Sequence, residues 1–171
     1  PPVAALLDDL DPDVLLRRVS AAGRAIAYAN DEAWYRVGRA TASRRSLNPV
    51  RRLRSTRPER APLAEGVVVQ DGEAVLAVDA RPDRDPVLLL RAAAAAAQAG
   101  LRLSPYAVAR LASESAPLPE PWPIAARDSL ISLLGAGRAA IPVWEALDQA
   151  DLISRLIPEW KVVRSAPQRN P

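Results

Sequence analysis

The 171 residues predict a mostly α-helical protein carrying one small β-hairpin at about residues 66–78. Three observations carry that prediction. Apolar residues between positions 15 and 37 recur at helical spacing. Beyond residue 85, Pro and Gly divide the chain into pieces of helix length. One Asp-Gly pair, Asp71-Gly72, lies between two short runs rich in Val.

The first helix is expected from Asp11 to Thr41. Asp11 suits an N-cap, Pro12 the first helical position and Asp13 the first turn. Leu15, Val19, Ala22, Ile26, Ala29, Ala33 and Val37 then form an apolar stripe at steps of four and three. Such a helix needs other helices against its stripe, and residues 1–10 do not supply them. The stretch 1–42 is therefore expected to complete a helical bundle lying upstream. The acidic run Asp8-Asp9-Leu10-Asp11-Pro12-Asp13 fits the helix dipole better than an acid–base site.

Gly66-Val67-Val68-Val69-Gln70 and Glu73-Ala74-Val75-Leu76-Ala77-Val78 flank Asp71-Gly72, a two-residue hairpin signal. Asp85 and Pro86 are expected to cap and start a helix through Ala99 that Gly100 stops. Its run of Leu and Ala carries the single charge of Arg91, so it should be central and buried, with Leu89 in the core. Leu101 to Ser104 lead into a helix starting at Pro105, with Val108 and Leu111 inward. Pro117 to Pro123 connect it to a helix over Ile124–Leu134. Gly135 and Gly137 read as a helix break, not a phosphate loop, which would need a lysine and more glycines. Pro142–Gln149 and Leu152–Ile157 are the last helices. Asp148 and Asp151, three apart, read as solvated surface in preference to a metal site.

Composition excludes several kinds of chemistry. There is no His, Cys, Met or Phe, hence no imidazole base, no thiol nucleophile, no disulfide and no nitrogen–sulfur zinc site. Hydrophobic residues make up 49% and aromatics only 4%, so aliphatic side chains must pack the core. No signal peptide and no membrane span is expected. Both ends look cut from a longer chain. Arg outnumbers Lys by 22 to 1, which reads as a coding bias.

The net charge of +3 is concentrated. Between Arg44 and Arg60 lie seven arginines and one acid, Glu59, a local charge of +6, so the remainder carries −3. Residues 43–62 read as an Arg/Pro-rich flexible linker. The competing reading is a basic module in which Arg44, Arg45, Arg51, Arg52, Arg54 and Arg57 bind an anion or nucleic acid. No aromatic residue interleaves them, and that weighs against nucleic acid. At the far end, Leu156, Ile157 and Trp160 present an apolar face around Pro158, a candidate interdomain contact.

Several stretches are similar to one known family. They are Asp85-Pro86-Val87-Leu88-Leu89-Leu90-Arg91, Leu101-Arg102-Leu103-Ser104-Pro105, the run Gly137 to Asp148, Leu152-Ile153-Ser154-Arg155-Leu156-Ile157-Pro158-Glu159-Trp160, and Pro167-Gln168-Arg169-Asn170. The chain resembles the bacterial PII-protein uridylyltransferase/uridylyl-removing enzymes, including their adenylylating actinobacterial relatives. The arginine segment does not share in the resemblance. The resemblance implies a cytoplasmic, modular enzyme: a nucleotidyltransferase domain, a helical linker, an HD phosphohydrolase domain and two glutamine-sensing ACT domains. It implies Mg2+ and UTP or ATP as cofactor and donor, and the PII protein as substrate. This chain would be the non-catalytic linker between the nucleotidyltransferase and HD domains, with residues 63–171 leading into the HD domain. The family's paired aspartates and HD histidines have no counterpart here, so no catalytic, cofactor-binding or metal residue is carried over.

Overall fold

A computed structural model describes residues 11–45 and 61–166. Helix α1 runs Pro12–Arg45. Asp11 starts it as its position predicts: its Oδ1 accepts the Asp13 N–H at 2.9 Å, and its carbonyl accepts from Val14 and Leu15. The helix continues past Thr41, so residues 43–45 of the expected linker are helical. Positions 46–60 of that linker lie outside the described residues.

Four strands follow in the order β1-β2-β3-β4: β1 Ala61–Ala64, β2 Val67–Gln70, β3 Glu73–Leu76 and β4 Arg102–Leu103. Strands β2 and β3 form the expected antiparallel hairpin, with Gln70 opposite Glu73. Asp71 (φ 53°) and Gly72 (φ 79°) both sit in the left-handed region, as a primed two-residue turn demands. Two strands depart from the expectation. Strand β1 pairs antiparallel to β2 across Glu65-Gly66. Strand β4, expected only as a lead into a helix, pairs parallel to β3.

The crossover from β3 to β4 is helix α2, Leu88–Gln98. It begins two residues later than Asp85-Pro86 predicts, and its N-cap, Val87, makes no side-chain capping bond. Asp85 holds the preceding turn instead. Its Oδ1 accepts the Val87 N–H at 3.1 Å and its carbonyl accepts the Leu88 N–H at 3.1 Å. At the far end the Leu101 N–H reaches the Ala96 carbonyl at 2.9 Å and the Gly100 N–H reaches Ala97 at 3.0 Å, the paired bonds of a Schellman stop. Leu88, Leu89, Leu90, Ala92, Ala93, Ala96 and Ala97 are all buried, so α2 is the central helix.

Helix α3, Pro105–Glu114, is capped by Ser104, whose Oγ accepts the Ala107 N–H at 3.1 Å. Val108 and Leu111 turn inward as expected. An irregular, proline-rich connection leads to α4, Ile124–Gly135. A 3-10 turn at Gly137–Ala139 then leads into α5, Ala140–Gln149, which starts two residues ahead of Pro142. Short helices α6, Leu152–Leu156, and α7, Trp160–Val163, complete the described chain. Helix α2 packs chiefly on α4, and also on α5 and the sheet. Val67, Ala74, Leu103, Leu133, Val143, Leu147, Leu152 and Ile153 close this core.

The described chain divides into two compact units. One holds residues 61–156. The other holds α1 together with residues 157–166.

Candidate interdomain site

The chain leaves one compact unit for the other between Leu156 and Ile157. That step lies inside the apolar stretch singled out in the sequence. Leu152, Ile153 and Ser154 of α6 are buried, whereas Leu156 and Ile157 are half-buried. Pro158 lacks the N–H to continue α6, and a new turn begins. The Trp160 N–H donates to the Ile157 carbonyl at 3.0 Å, and Lys161 to that of Pro158 at 3.2 Å. Trp160 is half-buried, and Val162 and Val163 beyond it are exposed. Within this unit the Arg24 Nη1 of α1 donates to the Arg164 carbonyl at 2.8 Å, tying the turn after α7 to the long helix.

Of the six arginines of the candidate anion site, only the backbone of two lies within the described residues. Arg44 and Arg45 occupy the last turn of α1. Arg51, Arg52, Arg54 and Arg57 lie outside the described residues.

Sequence reasoning missed a different role for arginine. Arg91 donates from Nε to the Glu65 carbonyl at 2.9 Å and from Nη2 to Asp85 Oδ2. Arg110 donates from Nη2 to the Ala80 carbonyl at 2.7 Å while its Nε meets Glu114 Oε2 at 3.1 Å. Arg155 Nη1 reaches the Ala112 carbonyl at 2.7 Å. These guanidinium groups fasten turns and helix ends that are far apart in sequence, so no local pattern could announce them. Arg81 and Asp83 form an exposed pair. Their hydrogen bond lowers the carboxyl of Asp83 below its usual range and raises Arg81.

Asp148 corrects another expectation. It is fully buried near the end of α5, while Asp151, at φ 59°, is exposed just past the helix. The pair is therefore neither a solvated face nor two ligands on one surface. Among the described residues, no three of His, Cys, Asp or Glu cluster as a metal site would. Gly135 and Gly137 do break the helix, Gly137 at φ 58°.

Comparison with known proteins relates this sequence to part of several longer enzymes. Over 98% of its length the chain is 56% identical to a bifunctional uridylyltransferase/uridylyl-removing enzyme of Streptomyces coelicolor. It is 43% identical, again over 98% of its length, to the enzyme of that name from Mycobacterium tuberculosis. A third, from Corynebacterium glutamicum, is 37% identical over 66% of the chain. These matches cover 21%, 20% and 16% of the relatives, so the chain spans about a fifth of the first two. The chain is thus homologous to one region of the bifunctional uridylyltransferase/uridylyl-removing enzymes. The first two matches run through the arginine segment as well, where the sequence by itself carried no resemblance. No protein-family profile and no solved structure matches the chain.

Proposed function

We propose that this region is a non-catalytic linker of a bifunctional enzyme that transfers a nucleotidyl group, UMP or AMP, to the PII nitrogen-signalling protein and removes it. Its work is to couple the nucleotidyltransferase domain to the HD domain in the cytoplasm. The observation that carries this reading is the passage of the chain between two compact units at Leu156–Ile157, inside a region homologous to a fifth of such enzymes. Relatives named for two opposed activities supply a reason for coupling. The Mg2+ and the UTP or ATP are assigned to other parts of the enzyme by the family resemblance.

The test grafts this chain into the Streptomyces coelicolor relative in place of the homologous segment. Transfer of label from UTP or ATP to PII, and its removal, are measured with and without glutamine. Ile157→Ala with Trp160→Ala should shift the ratio of transfer to removal, or its response to glutamine, by about 5-fold or more, the usual scale of a coupling energy. The isolated chain should label no PII. Unchanged ratios and responses in the double variant, or labelling by the isolated chain, would refute the linker role.

A further inference from the structure

Helix α1 is packed the wrong way round for a self-sufficient helix. Ser20, Arg24, Tyr28, Glu32, Tyr35 and Arg39 are half-buried along one polar face. Arg24 on that face bonds to the Arg164 carbonyl, and the Arg39 guanidinium lies 5.7 Å from the Tyr35 ring centre. The apolar stripe Val19, Ala22, Ile26, Ala29, Ala33 and Val37 points away from it and is exposed. Val19, Ile26 and Val37 keep 60%, 70% and 50% of their surface open. Burying such side chains is worth roughly 25 cal/mol per Å2, so an amphipathic helix that covers its polar face and leaves its apolar face open lacks a neighbour.

We propose that this stripe is the seat of one apolar helix contributed by the same enzyme polypeptide from outside residues 1–171. The proposal rests on the homology to a region of a longer enzyme, and it holds whether or not the linker couples the two activities. Three observations select this occupant. From Val19 to Val37 the exposed stripe extends about 27 Å at 1.5 Å per residue, whereas residues 1–10 as a helix reach only about 15 Å. Residues 46–60 are dominated by arginine and offer little apolar surface. The relatives share the segment at 56% and 43% identity within chains about five times as long, which leaves ample length for the missing helix.

The stripe also states what the occupant must look like. From Leu15 to Ala33 the steps alternate four and three, the spacing of a helix–helix seam. Ala22, Ala29 and Ala33 let a neighbouring axis approach to roughly 8 Å, the near end of the usual range. The facing helix must then supply the larger aliphatic side chains. A second copy of α1 is the poorer match. Crossed antiparallel about Ile26, it sets the charged Arg36 against Leu16 and Arg18 against Trp34. Aligned parallel, it sets each arginine against itself.

The chain has no cysteine, which makes thiol labelling clean. Ile26→Cys on the stripe and Ala27→Cys beside it fall in one tryptic peptide, residues 25–36, between Arg24 and Arg36. Each variant is labelled with a bulky maleimide in the dilute isolated chain and in the Streptomyces coelicolor graft, and read by mass spectrometry of that peptide. Position 26 should label at least about 10-fold more slowly in the graft than in the isolated chain, with position 27 alike in both. Equal rates at position 26 would overturn the proposal. So would protection in the isolated chain that grows with its concentration, which would make the occupant a second copy. If the graft fails to fold, judged by loss of both activities and of a cooperative melt, the same two substitutions at the aligned positions of the native relative give the comparison. The readout needs no activity, so it is separable from the test of coupling.

Discussion

The alanines of α2 offer a test in which the sign of the effect decides. Ala93 and Ala96 have no exposed surface, in the helix that packs most widely on α4. If they were merely filler in a loosely packed interior, Ala→Leu would bury three more carbons and stabilise by about 2 kcal/mol, at roughly 0.8 kcal/mol per methylene. If their smallness sets the distance between helices, the added carbons have nowhere to go and the change costs about 1–3 kcal/mol. The full burial of both residues, and of Leu133 in α4, selects the second outcome. In a unit of this size, 1 kcal/mol moves Tm by about 4–8 °C, so Ala93→Leu or Ala96→Leu should lower Tm by roughly 5–20 °C. Thermal melts followed by circular dichroism and Trp fluorescence read the effect. Ala109→Leu, on the exposed side of α3, should stay within about 0.5 kcal/mol of the parent. An unchanged or raised Tm for both buried variants would refute the close-packing argument.

Leu89, 4% exposed, should cost about 2–5 kcal/mol on Leu89→Ala, read as a lower urea midpoint with an unchanged m-value. Gly66 and Gly72 both sit at positive φ, but a Cβ on Gly66 would meet Leu88 Cδ1 at 3.0 Å while one on Gly72 meets nothing. Gly72→Ala should therefore cost only the left-handed strain, about 1–2 kcal/mol, and Gly66→Ala measurably more; equal costs in chemical denaturation would count against the Leu88 contact. Asp83 has its carboxyl held below the ordinary value of 3.8 by Arg81, so any stability it lends is present above that pH and lost as the pH falls through the lowered value. With the two side chains 49% and 57% exposed, solvent screens the pair, and Asp83→Asn should leave the acid limb of the stability–pH curve in place; a displaced limb would show the pair to matter.

What was legible in the sequence is what depends on near neighbours. The stripe of α1, the Asp71-Gly72 turn, the Ser104-Pro105 start and the Gly100 stop all act within a few residues, and all appear in the fold. The start of α2 was misplaced because Asp85 spends its carboxylate on Val87 and Arg91, leaving the helix to begin without a side-chain cap. Strand β1 was hidden because Ala61-Pro62-Leu63-Ala64 has no β-branched residue. The two-residue β4 exists only through pairing with β3 across an intervening helix. Asp148 read as surface because an acid near a helix end usually is; tertiary packing buries it. At the candidate site, Leu156, Ile157 and Trp160 were legible as an apolar turn around Pro158. The unit boundary between the first two was not, because it is a property of what lies far along the chain. Nor does the stripe of α1 say which of its faces the rest of the protein will meet.

The arginine excess gains a physical meaning from the same geometry. Turns and the last turns of helices leave backbone carbonyl groups outside the regular hydrogen-bond ladders, and these accept from side chains or water. Arg91, Arg110 and Arg155 supply such donors at Glu65, Ala80 and Ala112. Two of them serve two acceptors at once: Arg91 holds a carbonyl and Asp85, and Arg110 holds a carbonyl and Glu114. A planar fork with separated Nε and Nη donors can do this; the compact ammonium of lysine cannot span both. A coding bias can supply arginine everywhere, but it does not aim guanidinium groups at carbonyls 26, 30 and 43 residues away. In a core built from alanine and leucine, with few aromatics to brace its edges, these long polar tethers set the positions of the turns between short helices.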